Sequence, residues 1–161
     1  VTYTPNDKVT LNYSNFFGND KPDDQKQSRC FHNVYGNFHL TQRFQFTAGL
    51  DFGREQKTTG SDEYNHWYSP VIIAQYQLND KWSLTGRAEY YSDINGVIIE
   101  SGTENGFQTT GYSLNVDYRI RENAVWRVEG RLLDSKDSIF DKGGKAVDAN
   151  MCITTSLAVS F

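Results

Sequence analysis

Met151-Cys-Ile-Thr-Thr-Ser-Leu-Ala-Val-Ser-Phe161 alternates along its whole length. Met151, Ile153, Leu157, Val159 and Phe161 fall on one face of an extended chain, with Thr155 their only polar companion. Cys152, Thr154, Ser156, Ala158 and Ser160 fall on the other, because successive side chains of a strand point to opposite faces. Large apolar groups stand against small and polar ones. A strand of a soluble sandwich could read the same way, so the pattern must be sought elsewhere in the chain.

It recurs upstream. Trp126, Val128, Gly130 and Leu132 alternate with Arg127, Glu129 and Arg131; Tyr112, Leu114, Val116, Tyr118 and Ile120 with Ser113, Asn115, Asp117 and Arg119. Trp82, Leu84, Gly86, Ala88 and Tyr90 alternate with Ser83, Thr85, Arg87 and Glu89. Phe44 to Phe52, Val34 to Leu40 and Val9 to Tyr13 behave alike. Residues 67 to 78 fit less cleanly, since Val71 and Ile73 join the polar set. The connectors alternate too. Asn6-Asp7-Lys8, Thr41-Gln42, Asn79-Asp80 and Arg121-Glu122-Asn123 are short, whereas Gly18 to Arg29, Glu55 to Asn65, Ile94 to Asn105 and Ser135 to Asp148 are long and polar. Tight turns at one end and long loops at the other are the asymmetry of an up-and-down transmembrane barrel. The expectation is an all-β, antiparallel barrel with about eight strands present, forming one domain over residues 1–161.

Periodicity does not say which face meets lipid. In a sandwich the apolar face points inward, and in a membrane barrel the sense is inverted. The aromatics decide. Trp82 and Trp126 begin strands just after short turns, Tyr76 and Tyr118 end strands just before them, and Phe38, Phe44 and Phe161 share that level. Phe52, Tyr68, Tyr90 and Tyr112 lie near the opposite ends. Two belts of aromatics match the girdles that anchor a barrel at its two lipid–water boundaries. The segments also run to roughly ten residues or more, longer than the five or six usual in globular strands.

Composition agrees. Lys and Arg number 16 against 20 Asp and Glu, which lacks the basic stripe of a nucleic-acid partner. A mean hydropathy of −0.65 is what a barrel gives when only alternate residues need be apolar. No apolar run is long enough for a transmembrane helix.

Tyr76-Gln-Leu-Asn-Asp-Lys-Trp-Ser-Leu-Thr-Gly-Arg-Ala-Glu-Tyr-Tyr-Ser-Asp93 with Gly96-Val-Ile-Ile99 resembles the putative β-barrel porin-2 family of Bacteroidetes-type outer membranes. Asn105-Gly-Phe-Gln108, Gly111 to Tyr118 and Ile153 to Phe161 are similar to it as well. The resemblance implies residence in the bacterial outer membrane and a larger barrel of which this chain is the C-terminal part. Val1 to Pro5 then reads as the end of an earlier strand; a complete eight-stranded barrel is the alternative. Leu157, Val159 and Phe161 resemble the terminal signal read by outer-membrane assembly machinery. The expected partners are therefore that machinery, the lipid bilayer with its lipopolysaccharide, and other outer-membrane proteins.

The polar face carries Asp51, Arg87, Glu89, Asp117, Arg119, Arg127, Glu129 and Arg131. Charges are costly against lipid, so these face the lumen. In a wide barrel they line an aqueous pore for small hydrophilic solutes; in a closed eight-stranded one they pair into a plug. An accessory barrel whose loops bind a partner protein is the second reading. Catalytic signals are thin. Ser69 and Asp93 are tied to no histidine by any motif, and His32 and His39 fall on opposite faces. Neither enzyme activity nor a cofactor or metal is expected, and the acidic groups Asp20, Asp23, Asp24 and Asp134, Asp137, Asp141 lack a Ca²⁺-loop pattern. Cys30 and Cys152 fall on opposite faces and are not expected to bridge. Asn95-Gly96 and Asn105-Gly106 predict a β-hairpin between them, with Val97, Ile98 and Ile99 as a contact surface for a partner.

Overall fold

The computed structural model describes residues 1–161. Nine strands form one antiparallel sheet: β1 (Thr2–Asn6), β2 (Val9–Asn19), β3 (Ser28–His39), β4 (Phe44–Gln56), β5 (Tyr64–Gln77), β6 (Trp82–Asp93), β7 (Phe107–Arg121), β8 (Ala124–Ser135) and, after a small hairpin, β11 (Ala149–Val159). Each pairs with its neighbour in sequence, so the topology is up-and-down. The segment Val1 to Pro5 does enter the sheet, as β1. The sheet is open, with β1 and β11 at its two edges.

Two expectations are corrected. The stretch 94–106 contains no strand. Both Asn-Gly pairs make turns, with φ +63° at Gly96 and at Gly106, but the residues between them do not pair. The amides that would build a ladder are taken by a side chain: Val97, Ile98 and Ile99 all donate to the Asp93 carboxylate. The hairpin forms instead in the last long loop, where β9 (Phe140–Asp141) pairs with β10 (Ala146–Val147). The second correction concerns Phe161. It lies beyond the end of β11 at Val159, fully exposed.

Register places the faces as the alternation predicts. Asp117 stands opposite Arg127, and Arg127 opposite Ser156, all on the polar face. Trp82, Tyr118, Trp126 and Leu157 make one cross-strand row on the apolar face. The burial is inverted relative to a soluble domain. Ile72, Tyr112, Leu114, Met151 and Ile153 are more than half exposed, whereas the buried side chains are mostly polar and Trp67 is the single buried hydrophobic one. Against water such exposure would forfeit the hydrophobic driving force. Against lipid nothing is forfeited, and the remaining demand is that each strand's backbone be paired.

Thr155, the one polar residue on the apolar face of β11, has its partner in this row. Trp126 Nε1 donates to its hydroxyl at 2.7 Å, and the hydroxyl donates to the Arg127 carbonyl at 3.1 Å. A polar group on that face is thereby satisfied within the sheet.

Candidate functional site

The polar face is concave. Thr10 of β2, Asn37 of β3, Thr47 of β4, Gln75 of β5, Thr85 of β6 and Arg127 of β8 line one cavity of about 440 Å³. Side chains six strands apart in the sheet share a space only if the sheet curls toward that face. Every charged residue assigned to the polar set lies on this side by register.

The structure draws five of the eight into two ion-paired groups. Arg87 Nε donates to Glu89 Oε2 at 3.0 Å, and Arg131 of β8 donates to Glu89 Oε1. Glu89 spans β7 to reach it. The strand between carries Gly111 at the crossing, where an added Cβ would meet Glu89 Cγ at 2.8 Å. A side chain there would obstruct the reach. Asp117 is held by Arg127 through two bonds, at 2.6 and 2.7 Å, and by Asn115 Nδ2 at 3.1 Å. Paired with forked geometry, such contacts are the stronger kind of charged hydrogen bond.

Three of the eight are not ion-paired. Asp51 accepts one hydrogen bond, from Asn33 Nδ2 at 2.6 Å. Glu129 stands opposite Asn115, and Arg119 lines a smaller cavity near the turns with Gln77, Lys81 and Asp117. A third charged group escaped sequence reasoning. At the loop end, Arg29 of β3 donates to Glu55 Oε2 at 2.7 Å and also pairs with Asp20, while Lys21 lies 3.6 Å from Glu55. Glu55 and Arg29 had been assigned to loops. Simple continuation of the parity of Asp51 and Asn33 would have found them, since β4 runs on to Gln56 and β3 starts at Ser28.

Trp67 was missed for the opposite reason: it is apolar on the polar face. It fits because β4 has Gly53 opposite it, where an added Cβ would lie 2.0 Å from the indole. The Arg29 guanidinium sits over the ring, 5.7 Å from its centre. A buried indole thus closes the loop end of the wall beneath a charged cluster.

Asp93 is fully buried and holds no histidine. Its Oδ1 accepts from Val97 N at 2.9 Å, and its Oδ2 from Ile98 N and Ile99 N at 2.7 and 2.9 Å. It anchors a loop. His32 is bonded to the Tyr13 hydroxyl at 2.6 Å and to Cys30 Sγ at 3.0 Å, on the apolar face. His66 stacks on Phe52 at 5.9 Å. Cys30 on β3 and Cys152 on β11 lie on opposite faces and on strands that do not neighbour each other.

The residues assigned to the aromatic belt gather at the turn end. Phe38 stacks on Phe46 with ring centres 4.6 Å apart, Trp82 meets Tyr118 at 4.6 Å, and Phe44 stands opposite Tyr76. At the loop end Tyr68 and Tyr90 approach to 5.9 Å. The loops beyond are tied together. Asn105 donates its backbone N–H and its Nδ2 to the two oxygens of Asp137, at 2.9 and 2.8 Å. Asp137 consequently titrates below the ordinary aspartate value, chiefly through the backbone and side-chain bonds from Asn105.

Among known families, the model described as putative beta-barrel porin-2, OmpL-like, matches residues 1–161. No curated protein and no solved structure matches the chain.

Proposed function

The chain belongs to the putative β-barrel porin-2 family, and from that premise we propose that it forms part of the wall of an aqueous pore in the bacterial outer membrane. The pore passes small hydrophilic solutes by diffusion, without catalysis. One observation supports this reading above the others. The ion pairs of the polar face run along the wall and not across the space beside it. Arg87, Glu89 and Arg131 join β6 to β8, and Asp117 and Arg127 join β7 to β8. A plug would need charges from opposite sides to meet. Here the concave side keeps a cavity lined by Thr10, Asn37, Thr47, Gln75 and Thr85, groups that hydrogen-bond a hydrated solute without holding it, and by Arg127, whose charge is already paired with Asp117.

In this reading the apolar face, with the row Trp82, Tyr118, Trp126, meets lipid, and the paired charges bias the passage of ions. Leu157 and Val159, exposed on the edge strand β11, and Phe161 just beyond it are available to assembly machinery. The test is single-channel recording from the full-length protein in planar bilayers. Discrete conductance steps are expected; a purified, folded protein that gives none overturns the proposal.

A further inference from the structure

The loop end of the polar face differs from the rest of it. A cavity of about 500 Å³ there is lined by Phe16, Phe31, Trp67, Tyr91 and Ile98, together with Asp20, Arg29 and Asp51. That volume suits a small organic molecule. Elsewhere the face is mostly amides, hydroxyls and charges; here it offers rings.

Two features make this a built site. The first is the anchoring of Ile98. Asp93, fully buried, takes the three successive amides of Val97, Ile98 and Ile99, so the loop after β6 is folded back and Ile98 overhangs the cavity. Charge is the second. The cations are already engaged: Arg29, itself in the lining, by Glu55 and Asp20, and Lys21 by Glu55. Asp51 takes part in no ion pair, and its only side-chain partner is the neutral amide of Asn33. Asp20, Asp51 and Glu55 around this end outnumber Arg29 and Lys21. A carboxylate with spare acceptor capacity, beneath aromatic walls, is complementary to a cation carrying an apolar body.

We propose that this cavity is a recognition site for small amphipathic amines, the ammonium bonded to Asp51 and the apolar body held between the rings and Ile98. The site rests on the pore reading for its place at a channel mouth, but its chemistry is independent of it. In a channel it would select such amines at entry, ahead of neutral or anionic solutes of the same size.

The test is calorimetric titration of the full-length protein in detergent with phenethylammonium and, in parallel, 3-phenylpropionate. Saturable binding of the amine and none of the acid is expected. Asp51→Asn keeps the shape and the Asn33 contact and should weaken amine binding about tenfold. Ile98→Ser keeps its backbone bond to Asp93 and should weaken it about fivefold by removing the overhang. Equal binding of amine and acid, or affinity unchanged in Asp51→Asn, overturns the site. Conductance reads the pore separately. Channels without amine binding sink this inference alone, and amine binding without channels sinks the pore alone.

Discussion

Arg127 of β8 grips Asp117 of β7 with two nearly equal hydrogen bonds, 2.6 and 2.7 Å, between residues that face each other directly in the strand register. The pair lies on the polar face with Arg127 half exposed and Asp117 nearly covered. It cross-links two long strands without reaching into the space beyond them. A double-mutant cycle with Asp117→Asn and Arg127→Gln should show a coupling of about 1 kcal/mol, the modest value of a solvent-screened pair. Urea refolding into lipid vesicles would measure it. A coupling near zero would mean that the fork contributes nothing to the wall.

Loss of the same pair should alter selectivity more than stability. With Arg127→Gln alone, Asp117 keeps only Asn115 and becomes a free negative charge beside the cavity that Arg127 lines. Reversal potentials in a salt gradient should then shift toward cation preference. A shift toward anions would be incompatible with Arg127 neutralising Asp117 in the channel.

Gly53 is the position where the wall has least tolerance. Its missing side chain leaves the room that the Trp67 indole fills, and an alanine Cβ would overlap the ring. Gly53→Ala should destabilise refolding by roughly 1–3 kcal/mol through overpacking, and Trp67 fluorescence should shift as the ring is displaced. Gly86 and Gly130, which have open space around them, serve as controls that should accept alanine with little change.

The period-2 pattern made the sheet legible, and with it the facing of Arg87, Asp117 and Arg127. A register error of one residue would have put them on the apolar face, and alternation forbids that. Strand length was less legible. Long barrel strands continue past their apolar stretch into polar residues, so Arg29 and Glu55 looked like loop. Trp67 was hidden because burial on the polar face depends on Gly53 across the register, a pairing that no local pattern announces. The hairpin expected over 94–106 failed for a definite reason. Turn chemistry at Asn95-Gly96 was right, but the Asp93 carboxylate competes with a ladder for three amides and wins them.

That competition can be measured. Asp93→Asn leaves one acceptor oxygen where the wild type offers two, so at least one of the three bonds is lost. A hydrogen bond to a charged group contributes about 2 kcal/mol, which corresponds to roughly thirtyfold faster exchange of the freed amides. Hydrogen–deuterium exchange over residues 94–106 should show it, with β6 and β7 below the loop unchanged. Equal protection in both proteins would mean that the loop is held by something other than Asp93.

Acid should loosen the tie between the last two long loops. Asn105 clasps Asp137 across the two last long loops, and these bonds favour the ionised carboxylate. The Asp137 value in the folded chain therefore lies below that in the unfolded chain. Its contribution is fully present above the ordinary aspartate range and fades as pH falls through the folded value, below about pH 4. Glu63 is lowered as well, by Lys57 at 2.9 Å, but that pair links the two sides of one loop and touches neither Asn105 nor Asp137. Nitrogen-15 shifts of the Asn105 backbone and side-chain amides should thus titrate once below about pH 4, and the transition should vanish in Asp137→Asn. In Glu63→Gln it should persist unchanged. A transition near neutral pH would place the control of these loops on a group other than Asp137.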